Sequence, residues 1–201
     1  MATTYTDVDL LILDRWSDTR GLLEAYEELQ DRIHDVIGDV GERLAEWAQP
    51  QGYLTDTDAK APAFSLYRST WMHRRRDEPL VYLHLANFAP LGYRRVKENH
   101  PDLWLYTENL QGLKMKEPER VQFAKELRAA LGAVAAEWKH QDASDSDYPL
   151  GKTISDVTDA ERVRLVSDPD AMFQFATEAF QSSFVLFEAI DKVLGAAKAR
   201  D

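Results

Sequence analysis

The chain contains no cysteine, which excludes disulfides, thiol nucleophiles and thiolate-held metals together. Basic side chains are outnumbered, 24 against 35 acidic ones, for a formal charge of −11. A surface shaped wholly to a polyanion is thereby excluded, although a local basic site is not. No window approaches the roughly 20 apolar residues that a membrane-crossing helix needs, and the first residues lack a basic segment followed by an apolar one. A cytoplasmic protein with no membrane partner is therefore expected, and a reducing compartment is compatible with the lack of cysteine.

The usual chemical signatures are missing as well. No GxGxxG, Walker loop, GxSxG elbow or SxxK is present. The five histidines, His34, His73, His84, His100 and His140, show neither H-x₃-H nor HExxH spacing, so neither a metal nor a cofactor is expected. Gly151-Lys152-Thr153 resembles the end of a phosphate loop but lacks the earlier glycine and the strand before it; it reads as a turn. Asp58-Ala59-Lys60 falls in a connector and Glu137-Trp138-Lys139 on a helix, whereas two-metal chemistry needs such acids on adjoining strand ends. The reading leans away from an enzyme.

What the chain has in quantity is helix. With 201 residues, 44% of them apolar, it can fill one sizeable core, and a single α+β domain over 1–201 is expected. A short helix capped by Asp7 opens it. Leu22, Tyr26, Leu29, Ile33, Val36, Val40, Leu44 and Trp47 then recur at steps of three and four, the stripe of a helix about eight turns long. Gly38 and Gly41 on that helix would let a neighbour approach closely. Pro50-Gln51-Gly52 ends it, and Thr55 to Ala61 reads as a polar connector. After the centre of the chain, Pro118 to about Lys139 reads as a helix, Gln141 to Tyr148 as a loop, and Thr158 as the cap of a short helix to Val166. One long helix over Pro169 to about Ala199 follows. Its apolar residues cover more than one stripe, as expected of a central helix or one shared with a second subunit.

The stretch from Phe64 to Leu110 differs from its surroundings. It holds eight of the chain's 21 aromatic residues. Alternation over Phe64–Trp71 and Leu80–Phe88 predicts an antiparallel strand pair, and Leu103–Thr107 a third strand. The fold class is thus α+β: a small, mainly antiparallel sheet of about three strands (62–110) packed against three or more helices, with helical regions over 1–50 and 118–199.

The same stretch is basic. From Lys60 to His100 there are eight basic residues against three acids, while the rest of the chain holds 16 against 32. Arg68, Arg74, Arg75, Arg76, Arg94, Arg95 and Lys97, with Trp71 and Tyr93 beside them, form the candidate binding set: guanidinium forks for phosphate and rings to stack a base. The bland account pairs these arginines with the chain's own acids. His84 is the residue to watch, predicted on the same strand face as Tyr82 and Phe88. Three functions follow in order of preference: a non-enzymatic interaction or adaptor module that self-associates as a homodimer; a nucleic-acid or polyanion binder through residues 68–97; and an enzyme centred on His84.

Overall fold

The computed structural model describes residues 6–89, 101–139, 143–154 and 157–199. Two helices open the chain, α1 (Asp7–Asp14) and the 33-residue α2 (Trp16–Ala48). Thr6, not Asp7, caps α1: its hydroxyl accepts the Asp9 amide while the Asp9 carboxylate accepts the Thr6 amide, a reciprocal pair that leaves Asp7 as the first helical residue. At Arg15 (φ −110°, ψ 34°) the helix breaks and restarts at once. Beyond Ala48 a short 3₁₀ turn ends at Gly52, whose φ of 77° reverses the chain.

The sheet has five strands rather than about three. Strands β1 (Tyr53–Asp58), β2 (Ala63–Arg68), β3 (Tyr82–Ala86), β4 (Asp102–Tyr106) and β5 (Leu150–Thr153) lie in the order β1-β2-β3-β4-β5, every neighbour antiparallel. The two additional strands are the edges. β1 occupies most of the predicted connector, because its polar TDTD run faces solvent on one side and α2 on the other. β5 includes the predicted Gly151-Lys152-Thr153 turn, and four residues suffice there because β4 supplies the pairing.

One face of the sheet carries Phe64, Leu66, Leu83, Leu85, Leu103, Leu105 and Leu150, all buried. The helices cover it: α2, α3 (Glu117–Leu131), α6 (Pro169–Gln181) and α7 (Phe187–Lys198) contribute Ile37, Leu127, Phe180, Ile190 and others to one continuous core. The short α4 (Val134–Glu137) and α5 (Asp159–Ser167) complete the set, the latter capped by Thr158 as its sequence predicts. The predicted helix to Lys139 is interrupted at Gly132, where φ is 56°. The predicted last helix is two helices. Between them the Ser182 and Ser183 hydroxyls donate to the Ala179 and Phe180 carbonyls, diverting helix acceptors into local bonds.

The first half of α2 leaves the domain. Its buried residues are Ile33, Ile37, Val40, Gly41, Leu44 and Ala48, all in the second half, and α1 has none. Residues 7–32 therefore stand out as a helical arm. Among the described residues no helix is long and apolar enough to cross a membrane.

Candidate functional site

The loop from β2 to β3 is built as an irregular hairpin. Leu80 donates its amide to Trp71 O at 2.9 Å and His73 to Glu78 O at 3.0 Å. Trp71, fully buried at its base, donates its indole N–H to Asp191 of α7 at 2.6 Å. The Arg68 guanidinium binds the same carboxylate and lies over the Phe187 ring, 5.0 Å from its centroid. Two members of the candidate binding set, Arg68 and Trp71, thus turn inward to one carboxylate of the helical layer. Arg76 pairs with Glu78 at 3.2 Å.

Arg74 and Arg75 differ. Both are exposed, and no described carboxylate pairs with either. His73 holds them in place: its Nδ1 accepts the Arg75 amide at 2.9 Å while Nε2 reaches the Gly112 carbonyl at 3.1 Å. An Nδ1 that accepts carries no proton, so Nε2 is the donor and the ring is the neutral Nε2–H tautomer. This tie brings the arginines next to Lys114, and the last turn of α7 adds Lys198. Neither lysine is marked by the sequence, since both lie outside the basic stretch from Lys60 to His100. Arg94, Arg95, Lys97 and Tyr93 lie outside the described residues.

His84 sits elsewhere, on the sheet face away from the helices. Its register partner Ser65 places Oγ 3.2 Å from Nδ1, and the Tyr82 and Tyr106 rings meet it edge-on at 6.1 and 5.0 Å. Tyr82 stacks on Tyr106 at 5.1 Å, and Tyr148 and Trp104 extend the aromatic row. Phe88 does not share this face. Asn87, at φ 64°, turns the chain, and Phe88 is buried in the core, stacked on Phe64 at 5.1 Å. Asp56, Asp58, Tyr67 and His84 border a shallow cavity of about 270 Å³ here. Among the described residues, no carboxylate orients the Ser65–His84 contact as in a nucleophilic triad: Asp58 accepts the Lys60 and Ala61 amides at 3.0 and 2.9 Å and acts on His84 through its charge. Among the described residues, no three His, Asp or Glu side chains group to hold a metal ion.

Comparison with protein-family models, curated proteins and solved structures finds no match.

Burial pushes the pKa of His84 down, against the opposing effect of the Asp58 charge. Its folded-state value lies below the unfolded one, so protonation favours the unfolded chain. The stability this linkage concerns is fully present above the unfolded pKa of about 6.5 and is lost as pH falls toward the depressed folded value. Urea unfolding of wild type and His84→Gln between about pH 7.5 and pH 5 measures it. The wild type is expected to lose more stability than the variant over that range, and parallel curves would show that His84 has no such coupling.

Proposed function

We propose that the protein is a self-associating interaction module whose helical arm pairs with the arm of a second copy. One observation carries this reading: of the 13 exposed large apolar side chains among the described residues, ten (Val8 to Leu29) lie on the arm. An apolar run of that size on a single projecting element is characteristic of an interface, while scattered exposed leucines are ordinary.

A second copy is favoured over an unrelated partner by pattern and charge. Leu22, Tyr26 and Leu29 continue through Ile33, Val36 and Val40 at alternating steps of four and three, so the seam that the domain covers from Ile33 onward runs on uncovered before it. Along their helices, α1 spans about 12 Å and the uncovered part of α2, 16–32, about 26 Å, the two meeting at the break at Arg15. Antiparallel overlap of two such arms, with the two-fold between Thr19 and Arg20, sets Leu10 against Leu29, Leu13 against Tyr26 and Trp16 against Leu23. It also sets Arg15 against Glu24, which already pairs with Arg20 of its own arm at 2.8 Å, and Asp7 against Arg32, on an arm of eight acids and three arginines. A parallel pair would place like charge on like. Gly21, where an added Cβ would meet nothing within 4 Å, leaves room for close crossing near the two-fold.

Light scattering coupled to size exclusion tests this. Two chains per particle are expected for the wild type, and one for Leu22→Glu/Leu29→Glu with the domain's thermal unfolding retained. Because the chain has no cysteine, Thr19→Cys supplies a unique thiol close to the two-fold and should form a disulfide-linked dimer under mild oxidation. A wild-type monomer at tens of micromolar, or a Thr19→Cys variant that does not cross-link, rejects the arrangement.

A further inference from the structure

The recess that holds Arg74, Arg75, Lys114 and Lys198 has a volume of about 200 Å³. It shares Leu113 and Lys114 with a larger groove of about 500 Å³ between the start of α3 and the end of α7. Leu113, Met115, Phe123 and Ala197 give that groove an apolar lining, while Glu119 and Glu126 stand at it as acids. Together the two cavities are the size of a site for one small organic molecule.

From this geometry we propose that the protein binds a small phosphate monoester, with the phosphate among Arg74, Arg75, Lys114 and Lys198 and an apolar or aromatic body along Leu113, Met115 and Phe123. Four cations from three separate parts of the chain converge there, more than one carboxylate would neutralise, whereas a phosphate monoester brings nearly two charges and three acceptor oxygens. The site is also prearranged. His73 ties the arginine loop to the Gly112 turn, and Lys198 is anchored by donating to the Thr70 and Met72 carbonyls at 2.6 and 2.8 Å. An ammonium has three donors, so one remains for a ligand. Burial and the neighbouring Arg74 charge both push the Lys198 pKa down, the response of a cation left without a counter-charge. Lys114 stands in the left-handed region at φ 57°, a conformation that glycine adopts more easily and that side chains keep chiefly where the surroundings or a function demand it.

The acids argue against a nucleic acid in the same place. A polyanion continuing from the recess along the groove would run past Glu119 and Glu126, so a single anionic head with an uncharged body fits better. This site is independent of the arm and of dimer formation.

Phenyl phosphate is the probe, with inorganic phosphate and a twelve-residue oligothymidylate as comparators, followed by ¹H–¹⁵N NMR titration of the whole chain. Phenyl phosphate is expected to saturate, moving the amides of Arg75, Gly112, Lys114 and Phe123, and to bind about tenfold more tightly than inorganic phosphate. Arg75→Gln should weaken it by about tenfold. Lys114→Gly should weaken it too while leaving the thermal midpoint unchanged or raised, because glycine relaxes the backbone as the charge is lost. A purely structural Lys114 would give the second result without the first. No saturable shift at those amides in the millimolar range overturns the proposal, as does retained affinity in both variants. Tighter binding of the oligothymidylate than of phenyl phosphate would replace it with a nucleic-acid surface.

Discussion

Replacing Trp71 with alanine is expected to lower the unfolding free energy by about 3–5 kcal/mol. The side chain is fully buried, meets Phe187 edge-on at 5.1 Å, and closes the junction between β2, the arginine loop and α7. Alanine removes the ring, leaves a cavity that close-packed surroundings fill only in part, and takes away one of two donors to the Asp191 carboxylate. Trp71→Phe shifts the balance between these effects, since it keeps most of the volume but loses the N–H together with the pyrrole part of the ring; its cost should be about 1–2 kcal/mol. Urea unfolding followed by far-ultraviolet circular dichroism measures both without relying on tryptophan emission. A loss under about 1 kcal/mol for Trp71→Ala would mean the site relaxes freely. The expected loss also bears on function: weakened ligand binding in Trp71→Ala would report a displaced loop, and Arg75→Gln is the cleaner probe.

The sequence made the interior elements legible and the edges illegible. β2, β3 and β4 alternate strongly because each has one face against the core, and the stripe of α2 and the Thr158 cap are local signals that survive folding. β1 is an edge strand whose burial alternates only between partial and none, so its polar residues read as a connector. β5 exists because β4 pairs with it, a tertiary cause that four residues cannot announce. The break between α6 and α7 falls at Ser182-Ser183, whose hydroxyls bond the Ala179 and Phe180 carbonyls, without the proline or glycine that would mark it.

The candidate site divides along the same line. Arg74 and Arg75 stand out as a local charge excess, but charge counts do not show direction, and Arg68 and Trp71 in the same run turn inward to Asp191. Lys114 and Lys198 cannot be found by local composition, because only the tertiary fold carries them to the loop. The arm's stripe is legible; that its first half has no cover is not, since a helix pattern is the same whether a domain or a partner receives it.

Gly41 and Gly38, three residues apart on α2, are expected to respond to added side chains in opposite directions. At Gly41 the helix crosses β1 so closely that a Cβ would collide with the Thr57 hydroxyl and sit 2.9 Å from Thr57 Cβ. The colliding atoms are short and close to the backbone, so no flexible side chain can swing away, and α2 and β1 must part. Gly41→Val is accordingly expected to cost about 3 kcal/mol, the upper part of the overpacking range. At Gly38 nothing lies within 4 Å of the added atom, and Gly38→Ala should stabilise by about 1 kcal/mol through helix propensity alone. Equilibrium urea unfolding of the two variants tests both signs, and equal effects would show that the close crossing is not what selects glycine at Gly41. Because the arm begins beyond this crossing, Gly38→Ala should leave self-association unchanged. Gly41→Val should loosen the seat of the arm while keeping every side chain of the interface, so any loss of dimer there tracks the loss of folded domain, in contrast to Leu22→Glu/Leu29→Glu, where the dimer is lost and the domain remains.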